Sequence, residues 1–241
     1  MSTQSEKTNA LNLLEKGKIG LIGQFTWGSN FTFLVEVSQG EEKIEAVYKP
    51  QRGEKPLWDF PAETLAGREV AAYLVSEALG WKLVPPTIFR EDGSLGPGSM
   101  QLRVDHDPVQ HYFTFDAATR QRLRPVALFD LVVNNADRKG GHILLDGGGK
   151  LWLIDHGICF HSEPKLRTVV WDFVGEEIPQ SLIANVEDMK SQLNSGLRRE
   201  LDAYLNSEEL TAFDARINAV LRHPYFPAPP KNERSTPWPL V

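Results

Sequence analysis

The sequence predicts an α+β protein, a β-rich first half carrying one long helix and a mainly helical second half. Apolar residues alternate with polar ones through Phe31, Phe33, Val35 and Val37, and the run Lys43–Lys49 reads the same way, as half-buried strand. The spacing turns helical over 61–79 and again over 181–221. Between these blocks lies the third observation. From Leu128 an apolar run breaks into Asn134-Asn135-Ala136-Asp137-Arg138-Lys139-Gly140-Gly141-His142, and two short apolar runs follow, separated by Asp146 and three glycines. This reads as a helix, a polar loop and a tight hairpin whose far end presents Asp155.

Composition narrows the class. A chain of 241 residues can form one large domain or two small lobes and bury a proper core. Its 41% hydrophobic and 24% charged residues are those of an ordinary soluble globular protein. A net charge of −6 argues against a dominant nucleic-acid or anionic-membrane surface, so no nucleic-acid partner is expected. The one cysteine, Cys159, excludes an internal disulfide and a cysteine-based zinc site, which makes a reducing cytosol the simplest home. The first residues are polar and then merely amphipathic, unlike a signal peptide, and no run approaches the roughly 18 apolar residues of a span. A cytoplasmic protein without stable membrane insertion is expected.

The elements follow in order. Residues up to Asn9 read as a loose tail, and 10–16 as a short helix stopped by Gly17. Residues 18–37 read as strand, turn and strand, with Gly23 to Asn30 as the connection. The strand 43–49 ends at Lys49, before Pro50. A polar loop, 52–60, leads into the helix 61–79, which Gly80 ends and in which Glu69 lies mid-helix. Residues 81–90 and 99–104 are the next strands. Asp105, His106, Asp107 and His111 match no ligand spacing and read as a polar linker. Residues 116–133 are one helix or two abutting at Pro125, with Arg120, Arg122 and Arg124 on a basic face. Helices at 182–193, 197–205 and 209–222 form the base of the second lobe. The proline-rich end, 226–241, reads as an extended strap or a partner-binding tail. The expected divisions are 1–104, 105–225 and 226–241.

The chemistry concentrates in the loop and the hairpin. Phosphoryl transfer needs one carboxylate to orient or deprotonate the attacking hydroxyl and a second to hold a divalent metal on the phosphates. Asp137 suits the first role and Asp155 the second. Lys139 is placed to neutralise charge on the group in flight. A metal-dependent hydrolase built from Asp137, His142, Asp155, His156 and His161 is a rival, but it leaves Lys49 and Glu69 without a task.

Asp137-Arg138-x-x-x-His142 followed by Ile154-Asp155-His156-Gly157 resembles the catalytic and metal-binding loops of the phosphatidylinositol 3- and 4-kinase-like superfamily, which run Asp-Arg-His-x-x-Asn and then Asp-Phe-Gly. The likeness is closer to the small bacterial phosphatidylinositol-kinase-like branch, distantly related to HipA-type toxin kinases, and spans roughly Gly20 to Trp171. It implies a two-lobed, atypical protein-kinase-like fold that binds ATP with Mg²⁺ or Mn²⁺. Catalytic roles then fall to Asp137 and Lys139, and metal binding to Asp155 and to His142, which replaces the usual asparagine. Gly28, Ser29 and Asn30 would close over the phosphates, and Lys49 would contact them, oriented by Glu69 rather than Glu63 or Glu77. Leu102, Arg103 and Val104 would form the hinge that binds adenine, with Met100 or Leu102 behind it. The activity implied is transfer of the γ-phosphoryl group to a hydroxyl of a protein or small polar acceptor. A nucleotide-binding pseudokinase, or AMP transfer on the same fold, is the alternative.

Overall fold

The computed structural model describes residues 4–25, 30–231 and 233–241. Helix α1 (Gln4–Lys16) precedes the strands β1 (Lys18–Phe25), β2 (Thr32–Gln39), β3 (Glu42–Pro50), β4 (Thr87–Arg90) and β5 (Gly98–Leu102). These form one antiparallel sheet in the order β1-β2-β3-β5-β4. Helix α2 (Leu65–Ala78) lies between β3 and β4 in the chain. Strand alternation puts Phe33, Val35, Val37, Ala46, Tyr48 and Met100 into one core, closed by Leu14 of α1. Val47 and Lys49 therefore face the other way.

The predicted short first helix starts earlier, at Gln4, so residues 4–9 are helix and not tail. A tertiary contact accompanies the extension, Lys7 pairing with Glu77 of α2, and the apolar run below it, Ala10, Leu13 and Leu14, is buried. A Cβ on Gly17 would lie 2.5 Å from Val37 and 2.7 Å from the Leu13 carbonyl, so only glycine lets helix and sheet meet there. Helix α2 begins at Leu65 rather than near residue 61. Its first amides find a cap in the Glu54 carboxylate, which accepts from Leu65 N at 3.2 Å and Ala66 N at 2.9 Å. That partner is eleven residues upstream, which is why the start was misplaced.

The second half carries α3 (Ala117–Gln121), α4 (Arg124–Val133), a hairpin of β6 (Ile143–Leu145) and β7 (Leu151–Leu153), α5 (Gln180–Gln192), α6 (Arg198–Leu201) and α7 (Ser207–Arg222). The helices 116–133 are two, with Pro125 in the first turn of α4. The arginines there are not simply solvated. Arg124 pairs with Glu176 at 2.7 Å, and Arg122 donates to the Gly149 carbonyl at 2.5 Å.

The larger core joins α4, β6, β7, α5 and α7, and the inner face of α2 belongs to it through Ala71, Val75 and Leu79. A buried Arg68–Glu209 ion pair ties α2 to α7. The strap is anchored too. Phe226 enters the core, and Pro237 is buried. No described helix is long and apolar enough to cross a membrane.

Candidate active site

A cleft of about 350 Å³ opens between the sheet and the β6–β7 hairpin. Val47 and Lys49 of β3 line one side, Leu102, Arg103 and Val104 the end, Glu69 of α2 the depth, and His142, Leu144 and Asp155 the opposite wall. Asn30 and Thr32 lie at its mouth. Gly28 and Ser29 fall outside the described residues. Asn30 uses its carbonyl oxygen to accept from Lys55 N at 2.8 Å. Met100 is fully buried in the core on the sheet's other face, so it does not back the cleft; Leu102 does.

Lys49 is the centre. Its Nζ pairs with Glu69 and reaches Asp155 Oδ1 at 2.8 Å. Burial works against the ammonium, but Asp155 and Glu69 outweigh it and hold the pKa above the usual lysine range. Glu69 is 3% exposed in its side chain, and its other oxygen accepts from the His156 backbone N at 2.9 Å. Helix, strand and loop thus share one carboxylate. Glu63 and Glu77 take no part: Glu63 precedes the helix, and Glu77 pairs with Lys7 of α1.

Asp155 sits at φ 62°, a left-handed conformation that aspartate tolerates better than most residues. Its second oxygen lies 3.2 Å from His142 Nε2. Enclosure in the cleft opposes its ionisation, but Lys49 and then His142 prevail, and Asp155 stays ionised well below the ordinary carboxylate range. Burial pushes the His142 imidazole down to about 4, against the pull of Asp155, so it is neutral at pH 7. A neutral imidazole nitrogen and a carboxylate oxygen side by side suit a divalent cation. Among the described residues no three histidine, cysteine or acidic side chains converge on such a site. Phosphate oxygens or water would have to complete the shell. The same fact removes the five-residue hydrolase cluster: His161 Nε2 bonds the Asp59 carbonyl at 2.8 Å instead.

Asp137 is held by its loop. Asn134, left-handed at φ 53°, ends α4, and Asn135 Oδ1 accepts from Asp137 N at 2.9 Å. Lys139 Nζ pairs with Asp137 Oδ2 at 3.0 Å. Burial raises the Asp137 pKa, with Lys139 opposing and Asp155 adding to it.

Beneath this loop lies a network that sequence reasoning missed. Arg138 is fully buried and pairs with Asp130 of α4 at 3.0 Å. It also donates to the Ile154 carbonyl at 2.9 Å and lies 2.8 Å from His156 Nε2. One guanidinium therefore fastens the Asp137 loop to the Asp155 loop. Asp130 takes further bonds from Asn135 and Thr168. The sequence signal was present, since an aspartate in the apolar run 128–133 has no reason to be there without a buried cation.

The lobes, the sheet and the facing loops define a protein-kinase-like fold of the atypical kind. The structure is similar to that of the Golgi casein kinase with Mn and ADP bound (TM-score 0.61, 14% identity, 92% of this chain and 76% of that one). It is also similar to the Helicobacter pylori proinflammatory kinase CtkA (TM-score 0.52, 9% identity, 88% and 94%). No model of a known protein family matches the chain. By sequence, the chain belongs to the family of Protein Rv2133c from Mycobacterium tuberculosis, with 38% identity over 94% of each protein. It is also 30% identical to phosphatidylinositol 4-kinase gamma 4 of Oryza sativa, over 61% of this chain and 32% of that longer protein.

Proposed function

We propose that this protein is an ATP-dependent phosphotransferase of the small bacterial phosphatidylinositol-kinase-like branch, transferring the γ-phosphoryl group to an acceptor hydroxyl. The observation that carries this reading is Lys49 held between Glu69 and Asp155, with the Asp137–Lys139 pair on the adjoining loop. A hydrolase needs no such lysine. The likeness to phosphatidylinositol 4-kinases and the Mn and ADP in the Golgi casein kinase structure support the same reading.

In this reading a metal–ATP complex supplies the phosphoryl group and the electrophilic assistance. Leu102, Arg103 and Val104 would receive the adenine edge, and the role of covering the phosphates would fall to Gly28, Ser29 and Asn30. Lys49, fixed by Glu69, would hold phosphate oxygens, while Asp155 and His142 would hold the metal. Asp137 orients the acceptor hydroxyl and takes its proton as the oxygen attacks, and Lys139 offsets charge on the group in transit.

The test is incubation with γ-labelled ATP and Mg²⁺ or Mn²⁺, followed by mass spectrometry of the protein and of a lysate. Label on a hydroxyl, lost in Asp137→Ala, is the expected result. ADP binding without any labelled product would make the chain a nucleotide-binding module, and AMP adducts would invert the nucleotide.

A further inference from the structure

A second cavity, of about 530 Å³, lies at the turn end of the β6–β7 hairpin and shares no lining residue with the Lys49 cleft. Trp81, Leu83, Leu151 and Trp152 give it an apolar lining, Arg122 and Lys150 are its cations, and Asp146 is its one acid. Backbone bonds bring these pieces together. Leu153 N donates to the Leu83 carbonyl at 2.8 Å, so the segment 81–84 runs beside β7. Ser76 of α2 fixes the same segment, its Oγ accepting from Leu83 N at 2.8 Å and Val84 N at 3.1 Å. The size is that of a small-molecule site.

The polar atoms of the aromatic lining are already engaged. The Trp81 indole donates to Asn185 of α5 at 2.8 Å, and the Trp152 indole to Asp146 Oδ2 at 2.8 Å. What the two rings have left for a ligand is hydrocarbon surface. Asp146 is taken up by the turn, its other oxygen accepting from Gly148 N at 2.9 Å and Lys150 N at 2.8 Å. Among the described residues neither cation forms an ion pair. Lys150 folds its Nζ over the Trp152 ring, 3.1 Å from the centroid, and Arg122 donates to the carbonyl of Gly149, the residue before Lys150. Both charges therefore adjoin one peptide unit. Glu77, whose charge reaches Lys150, is paired with Lys7. Burial depresses the Lys150 pKa, with Asp146 and Glu77 opposing it. In a chain of net charge −6, acids are not scarce, yet none closes on this pair.

We propose that this cavity binds a small aromatic acid, a flat ring system carrying one anionic group, with the ring against Trp81 and Trp152 and the oxyanion held by Lys150 and Arg122. An ammonium resting on a ring is held more weakly than one hydrogen-bonded to an oxyanion, so an entering acid draws Lys150 off Trp152 and frees the indole face. Neither indole N–H is left to read a polar edge, which sets a hydrocarbon body apart from a base or a sugar. This site is separate from the cleft and does not rest on the phosphotransferase reading.

Anilinonaphthalene sulfonate, followed by its fluorescence, and naphthoate, followed by calorimetry, are titrated into the full chain with ADP and Mn²⁺ filling the cleft. One saturable site is expected for each, weakened about tenfold or more in Lys150→Gln and in Arg122→Gln and kept in Lys150→Arg. Neutral naphthylmethanol should bind about tenfold more weakly than naphthoate. Trp152→Phe should keep the binding while lowering energy transfer from the protein to the sulfonate, which places the probe. Binding unchanged in both glutamine variants overturns the proposal, as does equal binding of naphthylmethanol or the absence of a saturable site. An acidic Glu-Trp-Glu peptide that binds through Lys150 where neither acid binds would make the cavity a peptide contact and overturn the small-ligand assignment. Lys150 is half-buried and Arg122 exposed, so both glutamine variants should fold; if one melts, the other decides. Failure of ADP to bind would sink the phosphotransferase reading, while the dependence on Lys150 and Arg122 still decides this site.

Discussion

Asp137 and Asp155 are both carboxylates, yet their surroundings divide them. Asp155 lies between Lys49 and His142, whereas Asp137 pairs with Lys139. Asp155→Ala is expected to abolish metal-dependent nucleotide binding. Asp137→Ala should keep that binding and slow transfer by about 10²–10⁴-fold, the usual worth of a positioned base. Calorimetry with ADP and Mn²⁺ checks the division; equal loss of binding in both variants contradicts it. His142 also sets the metal. Nitrogen is a poor ligand for Mg²⁺ and an acceptable one for Mn²⁺, so turnover should favour Mn²⁺, and His142→Asn should move the preference toward Mg²⁺. Acid should destabilise the fold through the same histidine. Its folded pKa, about 4, lies below the ordinary 6.5, so the unfolded chain gains a proton that the fold refuses. Stability attributable to His142 is complete above pH 6.5 and falls toward pH 4, by a total on the order of 3 kcal/mol. Burial depresses His156 likewise. Melting curves of the metal-free protein across that range test this, with His142→Asn expected to shallow the slope.

At the scale of elements, α2 is the piece on which the site turns. It presents Glu69 to β3 while Arg68, the next residue back, is buried against Glu209. Glu209 also closes the capping box of α7 with Asn206. Glu209→Ala should therefore cost about 3–5 kcal/mol by stranding a buried arginine, with the cap loss added. Urea unfolding measures it, and a cost below 1 kcal/mol would mean that α2 is held elsewhere. The loop 137–142 has its own close contact. A Cβ on Gly140 would stand 2.9 Å from the Phe113 ring and 3.4 Å from the Leu240 carbonyl. Gly140→Ala is expected to lose about 1–3 kcal/mol, relieved when Phe113 is trimmed to alanine in the same chain.

Across the whole molecule there are two cores, and α2 sides with the second while its glutamate serves the first. The cleft lies on that seam. A ligand filling it touches both halves, so ADP with Mn²⁺ at a hundred times its Kd should stabilise the fold by about 2.7 kcal/mol. Thermal melts give the readout, and the shift should vanish in Asp155→Ala. A shift that persists without metal would move the binding determinants away from Asp155 and His142.

Much of this architecture was legible in the residue order. Period-two alternation marked β2 and β3, a glycine-rich turn marked β6–β7, and Lys49, Glu69 and Asp155, singled out by their order in the chain, line one cleft, whereas Asp137 and Lys139 lie on the adjoining loop outside its lining. Such signals are local: each is a periodicity or a turn, decided within a few neighbours. The start of α2, the Arg138–Asp130–His156 network and the path of the strap were not legible that way. Glu54 caps a helix eleven residues on, Arg138 spans three segments, and Leu240 meets a glycine a hundred positions earlier in the chain. Those choices are made by burial and hydrogen-bond satisfaction in three dimensions. The chain alone can state which groups need partners; only folding assigns them.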